Sequence, residues 1–300
     1  LGEFGATHQI DQTRALSDTE REQERQRALD FAREADIVLL AMGEHMMQSG
    51  EAASRTDLHL PRHQVAFIQQ IAAVAKKTVL ILFNGRPLVL TDGVDCVDAS
   101  VEAWFPGIEG SRALVDIISG ARNPSGRLSM SFPYANGQVP VYYNALNTGR
   151  PAQRSDHSPR FLSKYLDCPN APLFPFGFGL SWHHTTLSTL RVTPKLVPGG
   201  RVTVSVTASN SSHTAGCETI QLYLNDCVAS IARPALQLKA FTRVSLAAGA
   251  SQVVSFEITE NDLGFYDAEG ARRLEYGRFR VFVGLNSADL LEGEFYYAES

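Results

Sequence analysis

Three hundred residues with a net charge of −5, an isoelectric point near 5.9 and 44% hydrophobic residues describe an ordinary acidic globular chain, sized for one large domain or two smaller ones. That balance leaves no basic footprint for nucleic acid or an anionic membrane surface. No apolar run approaches the roughly 18 residues a membrane span needs, and Leu1-Gly-Glu-Phe4 carries no secretory leader pattern.

The first half alternates helical and strand periods. Residues 18–34 read as an amphipathic helix with Leu29, Phe31 and Ala32 at helical spacing. Ser17, three residues before Glu20, supplies a capping box. An apolar strand at Ile37–Ala41 follows, and then a loop, 42–57, punctuated by Gly and Ser and carrying Glu44 and Glu51. A second helix starts after Pro61 and runs toward Lys76-Lys77, with Val65, Phe67, Ile68, Ile71 and Val74 on its apolar face. Strands at Thr78–Phe83 and Ser100–Phe105 and a helix at about 109–119 complete a strand–helix alternation, which implies a largely parallel sheet. The strands are continuous apolar runs, the pattern of a sheet covered on both faces.

Residues 134–184 are rich in Pro, Gly, Asn and Ser and too long for an ordinary linker. They are expected to wrap over the first domain. From about 185 the period becomes two, as in Arg201–Thr207, Thr219–Leu224, Gln252–Ile258 and Arg278–Val283, with turns at Pro198-Gly-Gly200, Ala248-Gly249 and Glu269-Gly270. Short alternating strands at this pitch predict an immunoglobulin-like, fibronectin III-type β-sandwich. The fold class is therefore α/β plus all-β, divided at 1–184 and 185–300.

A buried strand ending in a loop with two glutamates is where an α/β protein displays chemistry, because ligands gather beyond the carboxyl ends of the strands. Spacing alone leaves Glu44 and Glu51 equally readable as solvated loop charges. Pro106–Gly110 places glycines at a helix start but lacks the GxGxxG spacing and the Lys-Ser/Thr of a phosphate loop. His59 and His63 are four apart, yet Pro61 lies between them, so no metal site is expected and no cofactor is called for. His183-His184 reads as structural or merely exposed. Cys96, Cys168, Cys217 and Cys227 show no zinc-ligand spacing and read as free thiols, with a Cys217–Cys227 bridge left open for an oxidising compartment.

Several segments, in order, resemble one family. Ser49-Gly-Glu51, Asn84-Gly-Arg-Pro87, Trp104–Gly110, Asn123–Pro133, Val139–Tyr143, Asn147–Pro151, Phe174–Ser181, Arg233-Pro234 and Gln237–Phe241 are similar to the C-terminal portion of family 3 glycoside hydrolases. The closest likeness is to the bacterial, often periplasmic, β-glucosidase branch. Each segment alone is weak; the ordered set is specific. The resemblance implies the C-terminal portion of a retaining, exo-acting β-glucosidase (β-xylosidase being a neighbouring activity) acting on a β-glucoside or oligosaccharide. It implies Glu51 as the general acid/base, with Glu44 the second candidate. It also implies a partner, a (β/α)8 barrel of the same polypeptide that holds the aspartate nucleophile. Such a barrel takes roughly 250 residues, and no segment here matches the family's Ser-Asp nucleophile motif, so this chain alone is expected to be inactive. The family has further strands before residue 18, so Leu1–Arg14 is expected to be a frayed interdomain piece. A periplasmic or extracellular location follows from the same likeness. A non-catalytic carbohydrate-binding or interaction module is the alternative, and exposed aromatics such as Tyr266 and Tyr296 on one sandwich face would favour it.

Overall fold

A computed structural model describes residues 17–146 and 162–299. The segment Leu1–Arg14 and the motif Asn147–Pro151 lie outside the described residues. The described residues form two compact units: 17–118 with 132–139, and 119–146 less 132–139 together with 162–299.

The first unit opens with α1 (Asp18–Glu34), capped as the sequence predicts: the Glu20 N–H donates to the Ser17 hydroxyl at 3.3 Å and the Ser17 N–H donates to the Glu20 carboxylate at 2.8 Å. Three strands follow, β1 (Val38–Gly43), β2 (Thr78–Phe83) and β3 (Ala99–Glu102), parallel and in the order β1-β2-β3. The helix α2 (Arg62–Ala72) joins the first two, and α3 (Gly110–Ile118) follows the third. Period-two alternation puts Leu40 and Met42, with Leu80 and Leu82 opposite them, on one buried face, and Phe67, Ile68 and Ile71 of α2 are buried as well.

Three expectations need correction. The other face of β1 is not covered by the described elements, since Leu39 is 51% exposed and Ala41 is exposed too. The helix α2 stops at Ala72 instead of reaching Lys76, because the Ile71 carbonyl accepts from both Val74 and Ala75 and closes the ladder there. Strand β3 ends at Glu102 rather than Phe105, because Trp104 adopts φ +51° and cannot continue an extended chain.

The second unit is an antiparallel sandwich. Its strands are β4 (Thr185–Val192), β5 (Lys195–Leu196), β6 (Val202–Asn210), β7 (Gly216–Asp226), β8 (Gln237–Leu246), β9 (Ser251–Ile258), β10 (Phe265–Tyr266), β11 (Arg272–Arg273), β12 (Gly277–Gly284) and β13 (Leu290–Tyr297). A short helix, α4 (Glu260–Leu263), follows β9. One sheet runs β5-β13-β12-β7-β8 and the other β4-β6-β9, with β10-β11 a separate ribbon. Inward positions such as Val204, Val206, Ile220, Leu222, Val281, Val283 and Phe295 fill the core between the sheets. Leu222→Ala, at a fully buried site, is expected to cost about 2–5 kcal/mol, against under about 0.5 kcal/mol for the exposed Val253→Ala. The denaturant midpoints of the two variants check this.

The Pro- and Gly-rich segment behaves differently from expectation. Only 132–139 belongs to the first unit; the described residues from 140 onward pack on the sandwich. Tyr143 stacks on Phe176 at 4.4 Å between centroids and meets Tyr223 edge-on at 5.7 Å, while Leu146 bridges to Pro234. The Tyr143 and Phe176 rings both pack against the buried cluster of Tyr223, Leu236 and Phe282. Segment 119–131 is tied to the same strand: the guanidinium of Arg127 is paired with Glu218, both almost fully buried, and His183, buried beside them, bonds Asn123 at 3.0 Å. His184, next to it, is exposed.

All four cysteines are free thiols. Cys217 lies near the start of β7 and Cys227 just beyond its end. Nine strand residues alone span about 30 Å, so a bridge between these two cysteines is geometrically closed. Among the described residues no helix is long and apolar enough to cross a membrane, and no group of three His, Cys, Asp or Glu could hold a metal ion. His59 instead pairs with Asp57 at 2.6 Å.

Candidate active site at the carboxyl edge of the parallel sheet

Strand β1 ends at Gly43 with φ +141°, where a side chain would run into the Phe83 carbonyl of the neighbouring strand. The chain leaves the sheet there. Gln64 of α2 holds the exit through both of its amide atoms, donating to the Gly43 carbonyl at 3.0 Å and accepting its N–H at 2.9 Å.

Glu44, the next residue, turns inward. Its carboxylate is fully buried and accepts from Arg55 Nη1 at 2.9 Å, from the Gly85 N–H at 3.2 Å and from Arg86 Nε, which lies 3.0 Å from Oε1. Arg55 also donates to the His59 carbonyl at 2.9 Å. A carboxylate with zero exposure, held by two guanidinium groups and a backbone N–H, is a cross-brace; neither oxygen faces solvent, from which a substrate would approach.

Glu51 is placed otherwise. It stands in the turn Gly50–Ala53, closed by the Ala53 N–H on the Gly50 carbonyl at 3.3 Å. Its side chain is exposed, and no hydrogen bond or ion pair holds it among the described residues. Gly50 at φ +101° and Ala52 at φ +59° flank it, and Ala52 pays a steric cost there that glycine would avoid. The turn is held from outside. Arg86 Nη2 donates to the carbonyls of Gln48 and, at 2.8 Å, of Ala53, one on each stem of the turn. Gly85 lies directly beneath, where a Cβ would collide with the Ser49 hydroxyl. The structure thus separates the two glutamates: one is buried in the brace and the other is displayed by it.

A third carboxyl belongs to this edge. Glu102, half-buried at the end of β3, accepts the Trp104 N–H at 2.9 Å and lies 3.4 Å from Asn84 Nδ2. Burial pushes it up to about 7, with the two hydrogen bonds pulling the other way. The folded state therefore holds its proton more tightly than the unfolded chain, whose ordinary value is 4.5. This group's contribution to stability is greatest below about 4.5, declines as pH rises toward about 7, and is flat above. The sequence reading passed over Glu102 because it sat inside an assumed strand; an acidic residue in the otherwise apolar run Val101–Phe105 was the available signal.

Tyr266 and Tyr296 are both exposed, but one lies on the β10-β11 ribbon and the other on the five-stranded sheet, so they do not share a sheet face. The turn at 106–110 leads into α3 with Gly107 at φ +71°, as a tight strand-to-helix turn requires.

Residues 4–182 match the Glycosyl hydrolase family 3 C-terminal domain. The chain belongs to glycosyl hydrolase family 3. A second match, to the Fibronectin type III-like domain, covers residues 218–287 of the sandwich. Among relatives, the chain is 41% identical over 269 residues to a periplasmic beta-glucosidase of Salmonella typhimurium, covering 89% of this chain and 35% of that protein. It is 33% identical to a beta-xylosidase of Formosa agariphila, covering 87% of this chain and again 35% of the relative. Among solved structures, a beta-glucosidase from Listeria innocua in complex with isofagomine superimposes with a TM-score of 0.88 at 42% identity, over 94% of this chain and 39% of that one. The chain thus spans little more than a third of the family 3 enzymes it matches.

Proposed function

We propose that this chain is the C-terminal portion of a retaining, exo-acting β-glucosidase and that it supplies Glu51 as general acid/base to a catalytic barrel in the same polypeptide. The observation that carries this reading is the contrast between the two glutamates: Glu51 is exposed at the tip of a turn whose two stems are clamped by Arg86, whereas Glu44 is consumed in the clamp. A group that must reach into a site built by another domain has to project from a rigid support.

In this reading the substrate is a terminal β-glucoside. Retention needs two carboxyl groups about 5–5.5 Å apart, one attacking the anomeric carbon and one protonating the leaving oxygen. Glu51 is the second of these. It gives its proton to the departing oxygen, then as carboxylate takes a proton from the water that releases the sugar. The first, an aspartate, lies in the barrel. The division at 1–184 and 185–300 is proposed as the boundary between the catalytic-support domain and the fibronectin-like domain, and a periplasmic location is proposed from the Salmonella relative.

The test is turnover of an aryl β-glucoside. The 300-residue chain by itself is expected to show none above background, and the same chain joined to a family 3 barrel is expected to turn the substrate over. Turnover by the chain alone, lost in Glu51→Gln, would overturn the two-domain reading.

A further inference from the structure

We propose that Glu102 is a positioning residue for the Glu51 turn, acting through Asn84 and Arg86. The proposal rests on the reading of the 44–57 loop as the acid/base loop.

The connection is a chain of bonds along the carboxyl edge of the sheet. Glu102 Oε1 accepts the N–H of Trp104, whose φ of +51° is a conformation a bulky residue keeps only when its surroundings hold it. Glu102 Oε2 faces Asn84 Nδ2 at 3.4 Å, and the same Nδ2 donates to the Arg86 carbonyl at 2.9 Å. Asn84 is completely buried, and among the described residues its Oδ1 has no hydrogen-bond partner. Its orientation therefore depends on those two bonds from Nδ2 alone, and an orphaned buried oxygen means the amide gains nothing else by staying where it is. Arg86, fixed at its backbone by Asn84, then reaches both stems of the Glu51 turn with one guanidinium nitrogen.

Protonation works on this chain at its weakest point. The long contact to Asn84 leaves Oε2 the less committed oxygen, so a proton is accepted there and sets an O–H against the Asn84 N–H. Ionised, Glu102 accepts from both donors with its charge; neutral, it keeps Trp104 and offers Asn84 only a hydroxyl oxygen, a much weaker acceptor. With the carboxyl raised to about 7, this exchange falls near neutral pH. No charged side chain is bonded to Glu102 among the described residues. In the adjoining 44–57 loop, Glu44 is paired with Arg55 and Arg86, Asp57 pairs with His59, His45 caps the 46–48 turn, and Glu51 is exposed. The hold on the turn is therefore complete above about pH 7 and is released as pH falls through that value.

The experiment uses the 300-residue chain and no substrate. Of its two tryptophans, Trp182 is replaced by Phe so that Trp104 alone emits. Its emission is expected to titrate with a midpoint near 7 and to lose that titration in Glu102→Gln. Hydrogen exchange of the 44–57 backbone, corrected for its intrinsic pH dependence, is expected to slow by about 10-fold as pH rises through the same range. In Glu102→Gln it should stay fast at all pH values, with α2 unchanged in both proteins. Exchange in 44–57 that ignores pH across this range, or that is unaltered by Glu102→Gln, would overturn the proposal. If that variant fails to fold, the milder Glu102→Asp decides: it is expected to move the midpoint of the Trp104 titration and of the exchange together, and midpoints left unmoved would overturn the proposal. Neither measurement involves catalysis, so a failure of Glu51 as acid/base would show only in kinetics and a failure of Glu102 only here.

Discussion

Glu51→Gln in the barrel-joined enzyme is expected to slow formation of the glycosyl-enzyme by about 10²–10⁴-fold for glucosides with poor leaving groups. The reason is where charge develops. An alkoxide or sugar oxygen departs as a strong base and has to receive a proton in the transition state, whereas an activated nitrophenolate leaves without one. The loss should therefore shrink as the leaving-group pKa falls. The second step needs the same side chain as a base, to deprotonate water, so activated substrates should accumulate the covalent intermediate in the variant. Added azide attacks without base help and should restore turnover, giving β-glucosyl azide. A uniform loss across leaving groups, with no azide effect, would remove Glu51 from the role. Leaving-group dependence and azide rescue appearing in Glu44→Gln instead would exchange the two glutamates.

The second large effect concerns Glu44→Gln, and it is one of stability. The substitution keeps the shape of the side chain but removes a charge whose exposure is zero and which faces Arg55 and Arg86, themselves only about a fifth exposed. Breaking a buried pair from one side leaves the other charges uncompensated, at a cost of about 3–5 kcal/mol when burial is complete. The partial exposure of the arginines puts this case near 3 kcal/mol, read as a fall in the denaturation midpoint of the first unit. Arg55→Gln in the Glu44→Gln background should cost much less than Arg55→Gln alone, because the partner it lost is already neutral. Activity should fall through the geometry of the turn, equally for good and poor leaving groups, and azide should not rescue it. A Glu44→Gln protein as stable as the parent would show that the carboxylate is not the centre of the brace.

The strand and helix periods of the first half, the change to period two near residue 185 and the Ser17 cap are all local patterns, and each appears in the folded chain close to where its side-chain spacing put it. The departures have separate causes. Helix α2 ends early because of a carbonyl that accepts twice, and β3 ends early because of one left-handed tryptophan. Tyr143 and Phe176 pack on the sandwich because they meet Tyr223 there, a partner far away in sequence.

What the sequence determined by itself is the class of each half and the family, because hydrophobic periodicity and ordered short motifs are properties of neighbours along the chain. It placed two glutamates in one loop, and the likeness of Ser49-Gly-Glu51 to the family's loop put Glu51 ahead of Glu44, but spacing by itself could not tell their surroundings apart, since both follow the same strand. Only the tertiary structure set their surroundings apart, by bringing Arg86 from the end of β2 and Arg55 from the far side of the loop onto Glu44, and Arg86 also onto the stems of the Glu51 turn. Their surroundings diverge through burial and charge pairing across up to 42 positions of sequence, and no local pattern records contacts of that range.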